Sequence, residues 1–323
     1  MSEVLVRVGA HELAVQLDGP EDGEPLLLIM GLGLQLIAWP QGLVDGFVAR
    51  GFRVIRYDHR DIGRSSPLDH LPTPPLAYAA VRHLVRWPLP PPYTLAELAD
   101  DAAGLLVALG VPRAQVVGVS MGGMVAQHLA WRHPERVRAL HLWMSTSGAR
   151  HLPLPASKVR TLMLRRPRTR EQALAHYTQL YRALGGPAYP TPEAELRAKV
   201  EHSAARAWRP QATLRQLLAI AHDGDRSRWL RALPTRCAAP VSIVHGSGDP
   251  MLPLPHGRHL AKLLPRAAFT VIEGWGHDLP EAVWPALLAR VLPSISPGAG
   301  VNFAPAPGSS CSLGRHAGPY SSP

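Results

Sequence analysis

Only two cysteines occur in the 323 residues, Cys237 and Cys311, and the second falls in a C-terminal stretch rich in Gly, Pro and Ser. A structural disulfide is therefore not expected, and Cys237 reads as a buried bystander. Long apolar runs are also missing. The N-terminus, M-S-E-V-L-V-R-V-G-A-H-E-L, interleaves charges with apolar residues and lacks the uninterrupted apolar stretch of a secretory leader or membrane span, so a cytoplasmic protein is expected. Lysine is scarce, at Lys158, Lys199 and Lys262 only. His245, His256 and His259 are not paired with thiolates or carboxylates at metal-ligand spacing, so neither zinc nor any cofactor is expected. No internal repeat is visible.

The formal charge of +10 is local: residues 145 to 235 hold 16 Lys+Arg against 6 Asp+Glu, and the remainder balances. A nucleic-acid binder would show a basic stripe interleaved with aromatics or a reading motif, and neither is present. The excess is read as arginine on solvated helix faces, with anionic substrates as the minority reading.

Two alternating runs, Val4 to Val8 and Glu12 to Leu17, predict an opening hairpin. Continuous apolar runs follow at 26–30, 54–57, 116–119, 140–144, 241–244 and 269–272, as expected of strands buried on both faces. Helical patterns separate most of them. One starts at Thr94, where T-L-A-E forms a capping box with Glu97, and stops at Gly110; another runs from Met121 to before Pro134. This alternation predicts an α/β fold, a mostly parallel sheet covered by helices on both faces. Between about 145 and 235 the strand signal gives way to helices, with Thr169 and Thr191-Pro192-Glu193 as starts, and this segment reads as an inserted helical cap. The core is then split into 1–144 and 236–294. Residues 70–93 form a proline-bracketed excursion with a short helix in its middle, and 295–323 are expected to be disordered.

The chemistry centres on Gly118-Val119-Ser120-Met121-Gly122-Gly123, where an apolar strand gives way to a helix. A serine on so tight a turn takes strained backbone angles, and only small residues two before and two after let the chain pass. The turn aims the hydroxyl above the sheet and the following amides toward a developing anion. With 28 glycines in the chain the motif alone is weak; its position between V-V-G-V and M-V-A-Q-H-L-A makes it strong. A serine hydroxyl needs a base, and in this fold order an acid and then a histidine follow the serine, each after a later strand. Asp249 follows the run 241–244, and His277 follows the run 269–272. Glu273 and Asp278 bracket His277, but a neighbour in sequence has difficulty reaching Nδ1 while Nε2 faces Ser120. Asp58 and Asp61, before the serine, read as structural. Two main-chain amides, those of Leu32 in Met30-Gly31-Leu32-Gly33 and of Met121, are the candidate oxyanion donors.

These residues resemble the α/β-hydrolase superfamily from about Val4 to Leu292. Four stretches are similar to its esterase branch, which includes aclacinomycin methylesterase and cofactor-free haloperoxidase-like proteins: residues 29–40 (I-M-G-L-G-L-Q-L-I-A-W-P), 54–65 (V-I-R-Y-D-H-R-D-I-G-R-S), 93–110 (Y-T-L-A-E-L-A-D-D-A-A-G-L-L-V-A-L-G) and 118–127 (G-V-S-M-G-G-M-V-A-Q). One departure is Met30, where many relatives carry histidine; the main-chain donor survives it. The resemblance implies a cap over the site and carboxylic-ester substrates. The expected activity is a serine esterase acting on small to medium hydrophobic esters, with Trp39, Trp143, Trp208 and Trp275 available either to line a site or to pack the core. Hydrolysis of vinylogous diketones at a carbon–carbon bond, of lactones or of thioesters are the alternatives. A slow-turnover ligand receptor is the non-enzymatic one, distinguished by a fluorophosphonate labelling burst without steady-state turnover.

Overall fold

The computed structural model describes residues 3–74, 91–165, 167 and 169–292. The short helix expected within 70–93, the tail over 295–323 and Cys311 lie outside the described residues. Strands β1 (Val4–Val8) and β2 (His11–Asp18) form the opening hairpin, with Val4 opposite Val15. They are followed by β3 (Glu24–Ile29), helix α1 (Gln41–Val48), β4 (Phe52–Tyr57), α2 (Leu95–Ala108), β5 (Ala114–Val119), α3 (Met121–Arg132) and β6 (Val137–Trp143). After an insert come β7 (Val241–Gly246), α9 (Pro255–Leu263), β8 (Ala268–Ile272) and α10 (Trp284–Leu288). The 8-stranded sheet has the order β1-β2-β4-β3-β5-β6-β7-β8. The pairs β1–β2 and β2–β4 are antiparallel and every later pair is parallel.

The continuous apolar runs have a direct structural cause. Alternate residues of a strand face opposite sides of the sheet, and here both sides are covered. Leu27 and Ile29 of β3 and Ala114 and Val116 of β5 enter one core layer, under Leu98, Leu105 and Leu106 of α2 and Val125 and Leu129 of α3. Their neighbours Leu26, Leu28, Val117 and Val119 enter the other, under Leu43, Val44 and Phe47 of α1 and Leu287 and Leu288 of α10. At the start of α2 the Thr94 side chain accepts from the Glu97 amide at 3.1 Å while Glu97 accepts from the Thr94 amide at 2.8 Å, the reciprocal box expected from the sequence.

The insert between β6 and β7 is helical: α4 (Ser157–Leu164), α5 (Arg170–Leu184), α6 (Glu193–Arg206), α7 (Pro210–Asp223) and α8 (Ser227–Arg236). Thr169 caps α5 by accepting from the Gln172 amide, and Pro192 stands at the N-cap of α6. The solvated-face reading of its arginines needs correction at three positions. Arg215 on α7 donates to both oxygens of Asp61, at 2.6 and 2.8 Å, with the two side chains 2% and 0% exposed. Arg206 on α6 pairs with Asp58 at 2.7 Å, and Arg226 donates to the Gln127 side chain and the Thr146 carbonyl. A guanidinium leaves water only where a carboxylate or several acceptors replace its hydration. Arg206 and Arg215 therefore tie the insert to the D-H-R-D loop after β4, and Arg226 ties it to α3 through Gln127.

No helix among the described residues is long and apolar enough to cross a membrane. Cys237 is buried with a free thiol.

Candidate active site

Ser120 stands between the end of β5 and the start of α3, at φ 57 and ψ −118, a region that L side chains rarely occupy. The flanking glycines make the turn possible. A Cβ at Gly118 would lie 2.4 Å from the Gly122 carbonyl oxygen, and one at Gly122 would lie 2.1 Å from the Ile29 oxygen, both main-chain atoms that cannot give way. The turn is fastened by the Ser120 N–H donating to Trp143 O at 3.0 Å and by the Ser145 hydroxyl donating to Ser120 O at 2.8 Å.

Asp249 and His277 are carried to Ser120 by the loops after β7 and β8. Those loops are stitched to each other through Gly248 N–H to Trp275 O at 3.0 Å and Gly274 N–H to Ser247 Oγ at 2.8 Å. They are also stitched to the insert, where His277 N–H donates to Leu184 O at 2.8 Å. The Asp249 Oδ1 accepts from the Met251 and Leu252 amides, each at 2.8 Å, which fixes the carboxylate plane. Its Oδ2 lies 2.7 Å from His277 Nδ1, and His277 Nε2 lies 2.9 Å from Ser120 Oγ. A carboxylate only accepts, so Nδ1 must donate to it, and Nε2 is left as the acceptor for the Ser120 hydroxyl. That is the tautomer a general base requires.

The competing acids are placed elsewhere. Glu273 is exposed, and Asp58 and Asp61 are occupied by Arg206 and Arg215. Asp278 is partly buried, with its Oδ1 lacking a partner. Burial pushes its carboxyl from the ordinary 3.8 up to about 7, against the pull of His277 and Lys199 and with a further push from Asp249. The folded chain thus holds a proton between about pH 4 and 7 that the unfolded chain releases, so Asp278 costs stability as pH rises through that window. Asp278→Asn is expected to raise the melting temperature at pH 8, by the equivalent of up to about 4 kcal/mol, and to leave it nearly unchanged near pH 4. Thermal melts across that range check it; an equal effect at both ends contradicts it.

His245 is fully buried, donates to Leu252 O at 2.7 Å and is pushed down in pKa mainly by burial, so it backs Asp249 as a neutral ring. His256 and His259 bond Thr146 and Ser147 side chains at 2.8 Å. No group of His, Cys, Asp and Glu among the described residues has the arrangement to hold a metal ion.

Gly31 borders the nucleophile, since a Cβ there would sit 3.3 Å from Ser120 Cβ. Leu32 and Met121, the two candidate oxyanion donors, are the next residue of that loop and the first of α3. Among the described residues neither amide donates to a protein acceptor. Trp39, Trp143 and Trp275 are 1%, 0% and 0% exposed and belong to the core layer under α1 and α10, so packing is their role; Trp208 is 42% exposed. Gln216, which the sequence does not single out, also meets the site: its side-chain Oε1 accepts from the Gly33 amide at 2.8 Å. No local pattern marks it, because the contact joins residues 183 apart.

A mostly parallel sheet with a strained serine between a central strand and its helix, and Asp and His delivered by the two later strands in that order, defines an α/β-hydrolase. The chain belongs to that family, matching the alpha/beta hydrolase fold over residues 24–281. It is 33% identical over 310 residues to the rhodomycin D methylesterase DnrP of Streptomyces peucetius, covering 85% of this chain and 91% of that one. It is 29% identical over 282 residues to a putative carbamate hydrolase, RutD, of Caulobacter sp. (strain K31), covering 86% and 93%. In fold it is similar to the meta-cleavage product hydrolase of Pseudomonas fluorescens, with TM-score 0.69, 17% identity and coverage of 89% and 95%.

Proposed function

We propose that this chain, a serine ester hydrolase of the α/β-hydrolase family, cleaves carboxylic esters of small to medium hydrophobic substrates through an acyl-enzyme on Ser120. The observation that carries the reading is the continuous relay from Asp249 Oδ2 through His277 to Ser120 Oγ, with steps of 2.7 and 2.9 Å. His277 Nε2 takes the hydroxyl proton as Ser120 Oγ attacks the ester carbonyl. The carbonyl oxygen, now an anion, is received by the amide of Leu32 in the loop after β3 and that of Met121 at the N-terminus of α3, where the helix dipole is positive. The imidazolium returns the proton to the departing alcohol. Water then attacks the acyl-enzyme carbonyl as His277 takes its proton, and the imidazolium passes that proton to Ser120 Oγ as the Ser120–acyl bond breaks and the carboxylic acid leaves; Asp249 stabilises the imidazolium in both halves.

The methylesterase relative, similar over most of both chains, supports ester cleavage at this site. Helices α4–α8 act as the cap: they meet the site at Leu184, which holds His277, and at Gln216, which holds the oxyanion loop. A panel of p-nitrophenyl and methyl esters of graded acyl size, run beside a lactone, a thioester and a vinylogous diketone, tests the assignment. The expected result is fastest turnover on carboxylic esters. Turnover of the diketone with none of the esters contradicts it.

A further inference from the structure

The loop after β3 is held from the insert. Its Gly33 amide donates to Gln216 on α7, and the Gln35 side-chain amide donates to the Ser203 and Ala207 carbonyls, at 2.9 and 3.1 Å, at the end of α6. Gly33 has φ 69, and a Cβ there would lie 2.7 Å from Thr213 Oγ1, so the loop runs against α7 with no room for a side chain. Gln216 is 0% exposed, yet its Nε2 has no acceptor among the described residues. Leaving a buried amide N–H unpaired costs about 1–3 kcal/mol, so a residue needed only to fill this space would be apolar. What the position requires is the side-chain oxygen.

That oxygen holds the peptide next to the one that carries the candidate oxyanion donor. The Gly33 N–H and the Leu32 C=O belong to one rigid peptide plane. Anchoring the plane restrains rotation about the Leu32 Cα–C bond, one of the two torsions that join it to the Gly31–Leu32 peptide, and so narrows the directions open to the Leu32 N–H. We propose that Gln216 is a positioning residue of the oxyanion site: from the insert it holds the Leu32–Gly33 peptide so that the Leu32 amide faces the ester carbonyl over Ser120. The insert is thereby part of the catalytic apparatus as well as a cover for it. This inference rests on the esterase reading above.

Gln216→Met keeps the side-chain length and removes the acceptor. Four quantities decide its role: kcat, KM, the affinity of an aryl boronic acid whose tetrahedral adduct places an oxygen in the oxyanion site, and the affinity of the product acid, which forms no adduct. The expected result is a fall in kcat of about ten- to a hundred-fold, short of the hundred- to thousand-fold typical of losing a donor outright. Boronate affinity falls by the same factor, while KM and product affinity stay within about two-fold. A general loosening of the insert would instead weaken product and boronate alike. If Gln216→Met does not fold, Gln216→Asn, whose shorter amide cannot reach Gly33, is measured in its place with the same expectation. Unchanged kcat and boronate affinity, or equal losses for boronate and product, overturn the inference. Ser120→Ala, assayed alongside, separates the two claims: activity surviving there removes the esterase reading, whereas an inactive Ser120→Ala beside a fully active Gln216 variant removes only the role of Gln216.

Discussion

Ser120→Ala is expected to lower kcat/KM for p-nitrophenyl butyrate by roughly 10⁴- to 10⁶-fold, the range in which loss of a triad nucleophile falls. Folding should be unaffected, because among the described residues the Ser120 hydroxyl bonds His277 alone, while the main-chain bonds to Trp143 and from Ser145 remain. A companion substitution separates chemistry from strain. At φ 57 and ψ −118 a side chain is tolerated only because the surrounding bonds hold it, at a cost of about 1–3 kcal/mol. Ser120→Gly should therefore be as inactive as Ser120→Ala and melt at a higher temperature. Equal melting temperatures for the two variants would mean that the turn is not strained.

Arg215→Met should destabilise the chain by about 3–5 kcal/mol, the usual result of leaving one member of a buried ion pair alone. Asp61 would keep the Leu68 amide at 3.0 Å but lose both guanidinium bonds, inside a site with 0% exposure of its side chain. Urea unfolding of three variants checks the cause. If the penalty comes from the stranded carboxylate, Asp61→Asn with Arg215→Met recovers much of it, because two neutral partners no longer have a charge to desolvate. If the double variant is as unstable as the sum of the singles, packing by the arginine stem matters more than the charge.

The contrast between Ser120 and Arg215 shows which features are legible in the sequence and why. Strands buried on both faces must be apolar at every position, so 26–30 and 116–119 stand out without reference to any partner. The serine turn is local in its signature, because Gly118 is required by the Gly122 carbonyl four residues on, although Gly122 itself makes room for Ile29 of β3. Asp249 and His277 are distant from Ser120 in sequence, but fold order suggests them as its partners once the strands are counted, and in the structure they form one relay with steps of 2.7 and 2.9 Å.

Arg215, Arg206 and Gln216 have no such frame. On a helix an arginine that will face water and one that will meet a buried aspartate leave the same trace, and a charge excess over 145–235 naturally reads as solvated. Only the partners distinguish them, and Asp61 lies 154 residues from Arg215. Asp58 and Asp61 are legible as structural without any indication of what they hold. The tryptophans illustrate the same limit in reverse: Trp39, Trp143 and Trp275 lie near site loops in sequence, yet their side chains point into the core.

The most direct measurement is a rapid-quench experiment with p-nitrophenyl acetate, followed by peptide mass analysis of the trapped protein. An acyl-enzyme on Ser120 predicts a burst of one p-nitrophenolate per chain and an acetyl adduct on the peptide carrying Ser120, both absent in Ser120→Ala. An adduct on another residue, or turnover in Ser120→Ala equal to that of the unaltered chain, would contradict the account.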